Sequence, residues 1–560
     1  MRVAERLARL GRQPWIVLVP LVAAQWLAVA IFALTVQRNG WLFYQGGDQT
    51  WFYTSGWELA HGRIPESLVG YLWPFVLVPL TWLAGPDFLN GLPAIVLFQV
   101  LVLLPAAVLS VYAVAARVGG RMLGYWAAAA WIAAPFAVIP LFVDRYHERW
   151  IEQTLPQALG LTGLGDFPSM VFLLVAAVFL MRALDGVSRA DAIACGLVTG
   201  AAIGLKPANG LFVFAPLVAL ALARRWRAGL EFGLALLPAL VTLMLWKYRG
   251  TGISVLSLEP MHLAVGEPPH PSELSLWQRA KEYVPLDRHQ LNQQFLGFRE
   301  FFWSARLLEF LPLAGFLAVA RRSLPKATFF ALWLAAFFVV KGSSVAVNVE
   351  SGSIWRLLMP AWPAYFFLAV SIPLLVPVWG PRVAERFSTP LRGIRWPRAV
   401  VVAVAIALAV PLVASAALPS SNGKTTAKLP LQSLFLPVEQ DFGLAVTGVE
   451  GGLELRWRTP EPLGASTFLI VYRSPIEYHL NATDPRVVHQ GVLCEPTGHA
   501  PRCTLEMEEV ARTRENRIVV QDPGRGTWTF RLGIAGNWRD DESLGDPFVI
   551  SAPRNVLVGG

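Results

Sequence analysis

Charge is what this sequence lacks most. Of its 560 residues only 15% are Asp, Glu, Lys or Arg, against about 25% in an ordinary soluble domain. With 55% hydrophobic residues and a mean hydropathy of +0.48, a soluble chain of this length would leave much of its surface greasy. Cysteine is scarce as well, at three residues, which excludes a disulfide scaffold. High apolar content excludes disordered and collagenous classes. No glycine-rich phosphate loop or dinucleotide pattern is present. No basic run with interleaved aromatics points to nucleic acid, and no internal repeat of the kind many carriers show is evident. What remains is a polytopic α-helical membrane protein, with the lipid bilayer as its first partner. Its 22 Trp and 32 Phe suit interfacial belts and packed helices.

The net charge of +9 is unevenly placed. Residues 1–418 hold 33 Lys and Arg against 21 acids, whereas residues 419–560 hold 14 against 17. Apolar runs lie at about 14–36, 91–115, 122–143, 168–184, 190–205, 208–223, 228–246, 305–320, 327–340, 357–378 and 399–418, so about eleven transmembrane helices are expected. The run 71–84 is short and broken by Pro74 and Pro79, and it reads as a juxtamembrane or re-entrant helix. Left out of the span count, it sorts the loops cleanly. One side (1–13, 116–121, 182–191, 224–229, 321–326, 380–398) carries 19 basic residues and four acids. The other side (37–90, 144–166, 206–207, 247–303, 341–356) carries 13 basic residues and 15 acids. The positive-inside rule then places the N-terminus in the cytoplasm and everything after the last span outside. The expected location is a bacterial-type plasma membrane.

Composition changes after Pro419. A transmembrane domain over 1–418, a linker over 419–432 and an extracytoplasmic β-sandwich over 433–560 are expected. Alternating segments such as Leu453–Arg458 and Thr467–Arg473 are separated by turn residues at the short spacing of an all-β sandwich. The order of these strands and their aromatics resembles a fibronectin type III-like domain. Cys494 and Cys503 flank a Gly/Pro/His turn, where they either close a hairpin as a disulfide in an oxidising compartment or remain free thiols. Cys195 sits in an apolar run and reads as a packing residue.

Candidate chemistry gathers on the outer side. Asp48 follows Gly46 and Gly47 and stands among Tyr44, Trp51, Phe52 and Tyr53. A carboxylate desolvated by aromatics suits a general base, and Tyr44, Trp51 and Tyr53 suit stacking on sugar rings. Asp48 also fits a helix N-cap. Asp166, just before an apolar run, reads as a second catalytic carboxylate, a metal ligand or a cap. Arg145 and Arg149 can hold an anionic group or simply pair with Glu148 and Glu152. His147-Glu148 lacks the second His that a zinc protease needs. Lys206, in GlyLeuLysProAlaAsn between two short runs, is a cation at membrane depth that calls for an anionic partner, or else a snorkelling lysine. Arg356 opens the run at 357–378 and suits bidentate phosphate binding, with Glu350 as an alternative partner.

In their order along the chain these features resemble the GT-C superfamily of integral-membrane glycosyltransferases, which use polyprenyl-phosphate sugars. The features are an aspartate in the first outer loop and a juxtamembrane segment before the second span. A LysPro turn between short spans and an ArgLeuLeu-x-Pro-x-x-Pro span entrance complete them. The resemblance covers roughly residues 1–378. It implies Asp48 as base, with Asp166 as a second carboxylate and Lys206 and Arg356 as donor-phosphate contacts. It also implies an inverting transfer to a hydroxyl of a glycan, glycolipid or protein acceptor. Many relatives carry an acidic pair in the first loop, whereas Asp48 is followed by Gln49. The appended β domain is similar in architecture to arabinosyl- and mannosyltransferases of actinobacterial envelopes. No organic cofactor is expected, and a divalent cation is left open. The competing readings are another lipid-linked glycan polymerase or ligase, and a transporter or flippase.

Overall fold

The structure is a computed structural model. It describes residues 13–35, 48–65, 70–84, 88–142, 155–251, 286–300, 302, 306–343, 353–377, 397–419, 438–440, 442–458, 467–475, 487–489, 492–495, 502–505, 507–536 and 549–558. The first part is helical. In chain order its helices are α1 (Trp15–Thr35), α2 (Asp48–Ala60), α3 (Leu72–Ala84), α4 (Phe88–Phe98), α5 (Leu104–Gly119), α6 (Arg121–Phe142), α7 (Asp166–Asp185) and α8 (Ala190–Leu205). There follow α9 (Phe214–Leu222), α10 (Trp226–Thr251), α11 (Arg288–Glu300), α12 (Leu307–Ala320), α13 (Leu324–Gly342), α14 (Ser353–Leu358), α15 (Trp362–Val370) and α16 (Pro397–Ala417). A π-helical turn, Gln99–Leu103, joins α4 to α5.

Each of the eleven apolar runs is occupied by helix. Among the described residues seven helices are long and apolar enough to cross a membrane, and four apolar helices are shorter, so length alone does not reach the expected count of eleven. The helix α3 has 13 residues, or about 20 Å, too short for a hydrocarbon core of about 30 Å. That length suits the juxtamembrane or re-entrant reading of 71–84. Lipid-facing stripes are plain. Leu230, Leu234, Leu237 and Val241 follow helical spacing on α10 and are all exposed, as are Val402, Ile406, Val410 and Val413 on α16. Such stripes would be costly in water and cost little against lipid.

Close packing inside the bundle uses small residues. Gly196, Gly200 and Gly204 recur every four residues along one face of α8. A Cβ on Gly196 would lie 2.4 Å from the Phe232 carbonyl oxygen, and one on Gly200 would lie 2.7 Å from Ala239 Cβ. Glycine therefore lets α8 approach α10 at backbone distance, the usual device where no hydrophobic effect drives helices together. Gly204 gives the same room to the Tyr71 ring.

Ion pairs gather the basic loops at one end of the bundle. Asp185 pairs with Arg117 at 2.9 Å and with Lys326 at 2.6 Å, and Arg182 pairs with Asp191 at 2.6 Å. At the other end Ile64 N–H donates to the Pro419 carbonyl at 2.8 Å, and Arg249 donates to that of Leu418.

Among the described residues the second part is a β-sandwich with twelve strands. They are β1 (Val438–Gln440), β2 (Ala445–Val449), β3 (Gly452–Arg456), β4 (Thr467–Pro475), β5 (Val487–His489), β6 (Val492–Glu495), β7 (Arg502–Leu505), β8 (Glu508–Thr513), β9 (Arg517–Val520), β10 (Gly526–Gly536), β11 (Val549–Ser551) and β12 (Arg554–Val558). One sheet runs β1-β11-β10-β4-β8 with β12 also on β10, and a second runs β2-β3-β9. Leu453, Leu455 and Val520 from the three-stranded sheet meet Leu469, Val471, Phe530 and Leu532 from the larger one in a single core. Two sheets thus enclose one core, as expected of an all-β sandwich. A third small sheet, β5-β6-β7, pairs Cys494 with Cys503 in backbone register.

The orientation expected from the loop charges is one that a reporter measures directly. Reporter fusions at residues 118 and 430 should fall on opposite sides, 118 cytoplasmic and 430 external. An external 118 or a cytoplasmic 430 overturns this orientation.

Candidate functional site

Three residues far apart in the sequence converge at the end of the bundle opposite Asp185. Asp166 opens α7, Lys206 terminates α8, and Arg356 lies in α14. Lys206 Nζ donates to Asp166 Oδ1. Arg356 Nε donates to Asp166 Oδ2 at 2.9 Å. Lys206 also donates to the Arg356 carbonyl at 3.3 Å. Each carboxylate oxygen thus takes one cation, and Asp166 itself is buried, with its side chain 3% exposed. Gly165 holds the cap position of α7, so Asp166 does not cap its helix. Of the alternatives open to Lys206 the ion pair is realised. Glu350, the alternative partner for Arg356, lies outside the described residues.

The local chain explains how Asp166 is held. The segment before it, 161–165, is clasped by three buried side chains. Gln49 Oε1 accepts from Gly163 N–H at 2.6 Å, Trp73 Nε1 donates to the Gly163 carbonyl at 2.8 Å, and Gln99 Nε2 donates to the Thr162 carbonyl at 2.5 Å. Buried backbone groups must find partners, and here side chains from α2, α3 and the π-helical turn supply them. Lys206 is set by a similar turn. Pro207 opens a 3₁₀ turn, and Asn209 N–H donates to the Lys206 carbonyl at 2.9 Å. Asn209 Nδ2 donates to the Ala202 carbonyl at 2.8 Å.

A cavity of about 620 Å³ lies within the bundle; none of the three cluster residues lines it, but their chain neighbours do. Met170, one turn beyond Asp166 on α7, lines it, as does Met359, three residues beyond Arg356. Trp131, Phe316, Trp355 and Tyr365 add to an apolar wall. A cavity with so apolar a wall suits a hydrocarbon chain.

The remaining sequence candidates fall as follows. Asp48 begins α2, one residue before the clasping Gln49, which brings the N-terminus of α2 against the loop that carries Asp166. Trp51 lies in the same helix. Tyr53 is buried at 1%, and a Cβ on Gly91 would lie 2.5 Å from its ring, so Tyr53 serves packing and offers no open stacking face for a sugar. Tyr44, Arg145 and Arg149 lie outside the described residues. Cys195 is buried and free, in keeping with a packing role. No group of three or more His, Cys, Asp or Glu among the described residues is arranged to hold a metal.

Sequence reasoning passed over Gln49, Trp73, Gln99 and Lys341, the last near the end of α13 and within electrostatic reach of Lys206. Gln99 had a readable signal, since it is a lone polar side chain inside the apolar run from Ala94 to Leu109. Lys341 closes the apolar run of α13 and passes for a snorkelling cation.

No family model matches the sequence, and no curated protein matches it. Solved structures that do match include the apo oligosaccharyltransferase of Archaeoglobus fulgidus, at 14% identity and a TM-score of 0.39, covering 71% of this chain and 55% of that one. The archaeal oligosaccharyltransferase AglB of the same organism, in complex with an inhibitory peptide and a dolichol-phosphate, matches at 12% identity and a TM-score of 0.40, with the same coverage. An A. fulgidus oligosaccharyltransferase complex with Zn and sulfate matches at 12% identity and 0.35, covering 72% of this chain and 53% of that one. The chain spans about half the length of these structures. At these scores no residue role passes from them to this chain.

The shared carboxylate generates a test. Asp166→Asn leaves two cations facing each other and should cost about 2 kcal/mol, less than for a dry pair, because Arg356 keeps 31% of its side chain exposed. Combined with Lys206→Gln, the loss should be sub-additive by about 1 kcal/mol. Thermal denaturation of the four proteins in one detergent measures this cycle, and additive losses would show that the pair carries no coupling.

Proposed function

We propose that this protein is a membrane glycosyltransferase that takes a sugar from a polyprenyl-phosphate donor and passes it to a hydroxyl on the extracytoplasmic face. The observation that carries this reading is the pairing of Lys206 and Arg356 on one buried carboxylate, with a mainly apolar cavity lined by their chain neighbours Met170, Trp355 and Met359. Asp166 holds the two cations in place, and the prenyl chain lies in the cavity. The donor phosphate meets Lys206 and Arg356 on the side turned away from Asp166. Charge-assisted contacts stabilise the phosphate as the bond to the anomeric carbon breaks.

Asp166, with both oxygens occupied by cations, is poorly placed to take a proton. In this reading its work is positioning, and Asp48 is the base. Asp48 stands at the start of α2, tied through Gln49 to the Asp166 loop. It removes the acceptor proton as the hydroxyl oxygen attacks, which inverts the anomeric centre. Trp51 and Tyr44 remain proposals for sugar or acceptor stacking, and Arg145 and Arg149 for additional phosphate contacts. The Cys494–Cys503 register is compatible with a disulfide that would staple the small sheet.

Two measurements test this reading. Asp48→Asn should lower turnover by about 10²-fold while folding is kept, and near-wild-type transfer by that variant removes Asp48 from the mechanism. Lys206→Gln and Arg356→Gln should each weaken binding of a prenyl phosphate by about 1.5–3 kcal/mol without changing affinity for the matching prenyl alcohol. If phosphate and alcohol lose affinity alike, the two cations are structural.

A further inference from the structure

Helices α7 and α9 end in the same kind of turn, with one difference. After α7 the chain passes through a left-handed residue, Gly186, at φ 74°. Gly186 N–H donates to the Ala183 carbonyl at 3.1 Å, and Val187 N–H to that of Arg182 at 3.0 Å. After α9 the same pair of bonds recurs, from Arg224 N–H to Ala221 at 2.9 Å and from Arg225 N–H to Leu220 at 2.8 Å. Glycine usually fills the left-handed position of such a turn, because a Cβ is strained there. In α9 that position is Arg224, at φ 56°. Among the described residues no other non-glycine residue has a positive φ. An arginine kept where glycine would hold the same turn without strain points to a use for its side chain.

The two turns touch. A Cβ on Gly186 would lie 2.7 Å from Arg225 Nη2 and 2.8 Å from Nη1, so the Arg225 guanidinium rests against the end of α7, whose negative pole suits it. Arg225 is half-buried, and Arg189, Arg224 and Arg227 are exposed. Arg227 pairs with Glu231 at 3.4 Å, whereas among the described residues no hydrogen bond or ion pair engages the side chains of Arg189, Arg224 or Arg225. Helix α10 fixes the depth. Its lipid-facing stripe of Val241, Leu237, Leu234 and Leu230 continues at helical spacing to Trp226, which is 69% exposed. A tryptophan that ends such a stripe stands at headgroup level, and the arginines lie directly beyond it. Loop charge that only orients a chain needs no fixed geometry, but here the guanidinium is seated and the turn is strained.

We propose that this double turn, residues 186–189 and 224–227, binds the phosphate of an anionic phospholipid, at the end of α7 opposite the Asp166 cluster. Arg224 and Arg225 donate to the phosphate oxygens, a geometry that the guanidinium fork matches better than an ammonium does. Trp226 lies beside the upper part of the acyl chains, and Arg189 stands at the rim. A bilayer surface that carries anionic lipid fills the site by mass action, so the folded protein is more stable there than among zwitterionic lipids.

The test titrates the full-length protein in detergent with phosphatidylglycerol and, separately, with phosphatidylcholine, and native mass spectrometry counts the lipid retained. The wild type should prefer phosphatidylglycerol. Arg224→Gln combined with Arg225→Gln should lower that affinity by about thirtyfold. Arg321→Gln, in the turn before Lys326 and outside the double turn, should leave it unchanged. Arg224→Gly separates the ligand from the fold. It relieves the left-handed strain, so the thermal midpoint without added lipid should not fall, while affinity for phosphatidylglycerol drops about fivefold. Inorganic phosphate in excess should not displace the lipid. Equal retention of the two lipids overturns the proposal, as does an Arg321→Gln loss as large as that of the double variant. An Arg224→Gly protein that binds phosphatidylglycerol like the wild type overturns it too. Displacement by inorganic phosphate would show a site for a free anion, and the phospholipid assignment would fall.

Discussion

The structure depends on one helix pinned at both ends by a carboxylate. Helix α7 runs from Asp166 to Asp185, 20 residues, which at the α-helical rise is about 30 Å, the thickness of a hydrocarbon core. Asp166 takes Lys206 and Arg356, and Asp185 takes Arg117 and Lys326. Between these ends nearly every side chain of α7 is buried. The helix is thus a strut whose length is matched to the bilayer and whose ends tie α5, α8, α13 and α14 into register. Removing either carboxylate would strand two cations at a membrane boundary, where unpaired charge is expensive.

The strut would be loose without the backbone contacts that surround it. Van der Waals packing and hydrogen bonds must hold helices together in lipid, since no hydrophobic effect does so. The glycine face of α8 supplies the first by admitting α10 and Tyr71 at backbone distance. Gln49, Trp73 and Gln99 supply the second by fastening the loop that delivers Asp166. The π-helical turn has a local meaning here. It begins at Gln99, whose side chain reaches the Thr162 carbonyl instead of facing lipid. The Gln49 clasp brings α2, and with it Asp48, against the Asp166 loop, so the scaffold and the proposed chemistry share a support.

Much of this was legible in the sequence, because the bilayer imposes simple rules. Apolar runs gave the helix positions, and loop charges gave a grouping of ends that the Arg117–Asp185–Lys326 cluster matches. Asp166, Lys206 and Arg356 were each visible as charges at the rim of an apolar run. Their mutual pairing was not, since it links positions 40 and 190 residues apart and depends on how helices stack. Tyr53 illustrates the opposite error. Its company of aromatics suggested an open platform, but the glycine at position 91 makes a recess for the ring inside the core. The clasping glutamines escaped notice because their partners are backbone groups, which leave no trace in side-chain patterns.

The two ends of the strut use the same chemical unit, one carboxylate with a lysine and an arginine, and turn it in opposite senses. At the Asp185 end the cations are enclosed, with Arg117 and Lys326 side chains 10% and 11% exposed, while the carboxylate is 31% exposed. Lys326 there also donates to the Arg117 carbonyl at 2.8 Å, so its donors point into the protein. At the Asp166 end the carboxylate is 3% exposed and the cations are the open side, with Lys206 at 17% and Arg356 at 31%. A clasp needs only mutual attraction and is indifferent to which member faces out. A site for an anionic headgroup needs its cations accessible and its carboxylate behind them, fixing their geometry. The Asp166 cluster has that second arrangement. Burial order, more than the ion pairs themselves, therefore distinguishes the carboxylate that holds the fold from the one proposed to hold the donor phosphate's cations.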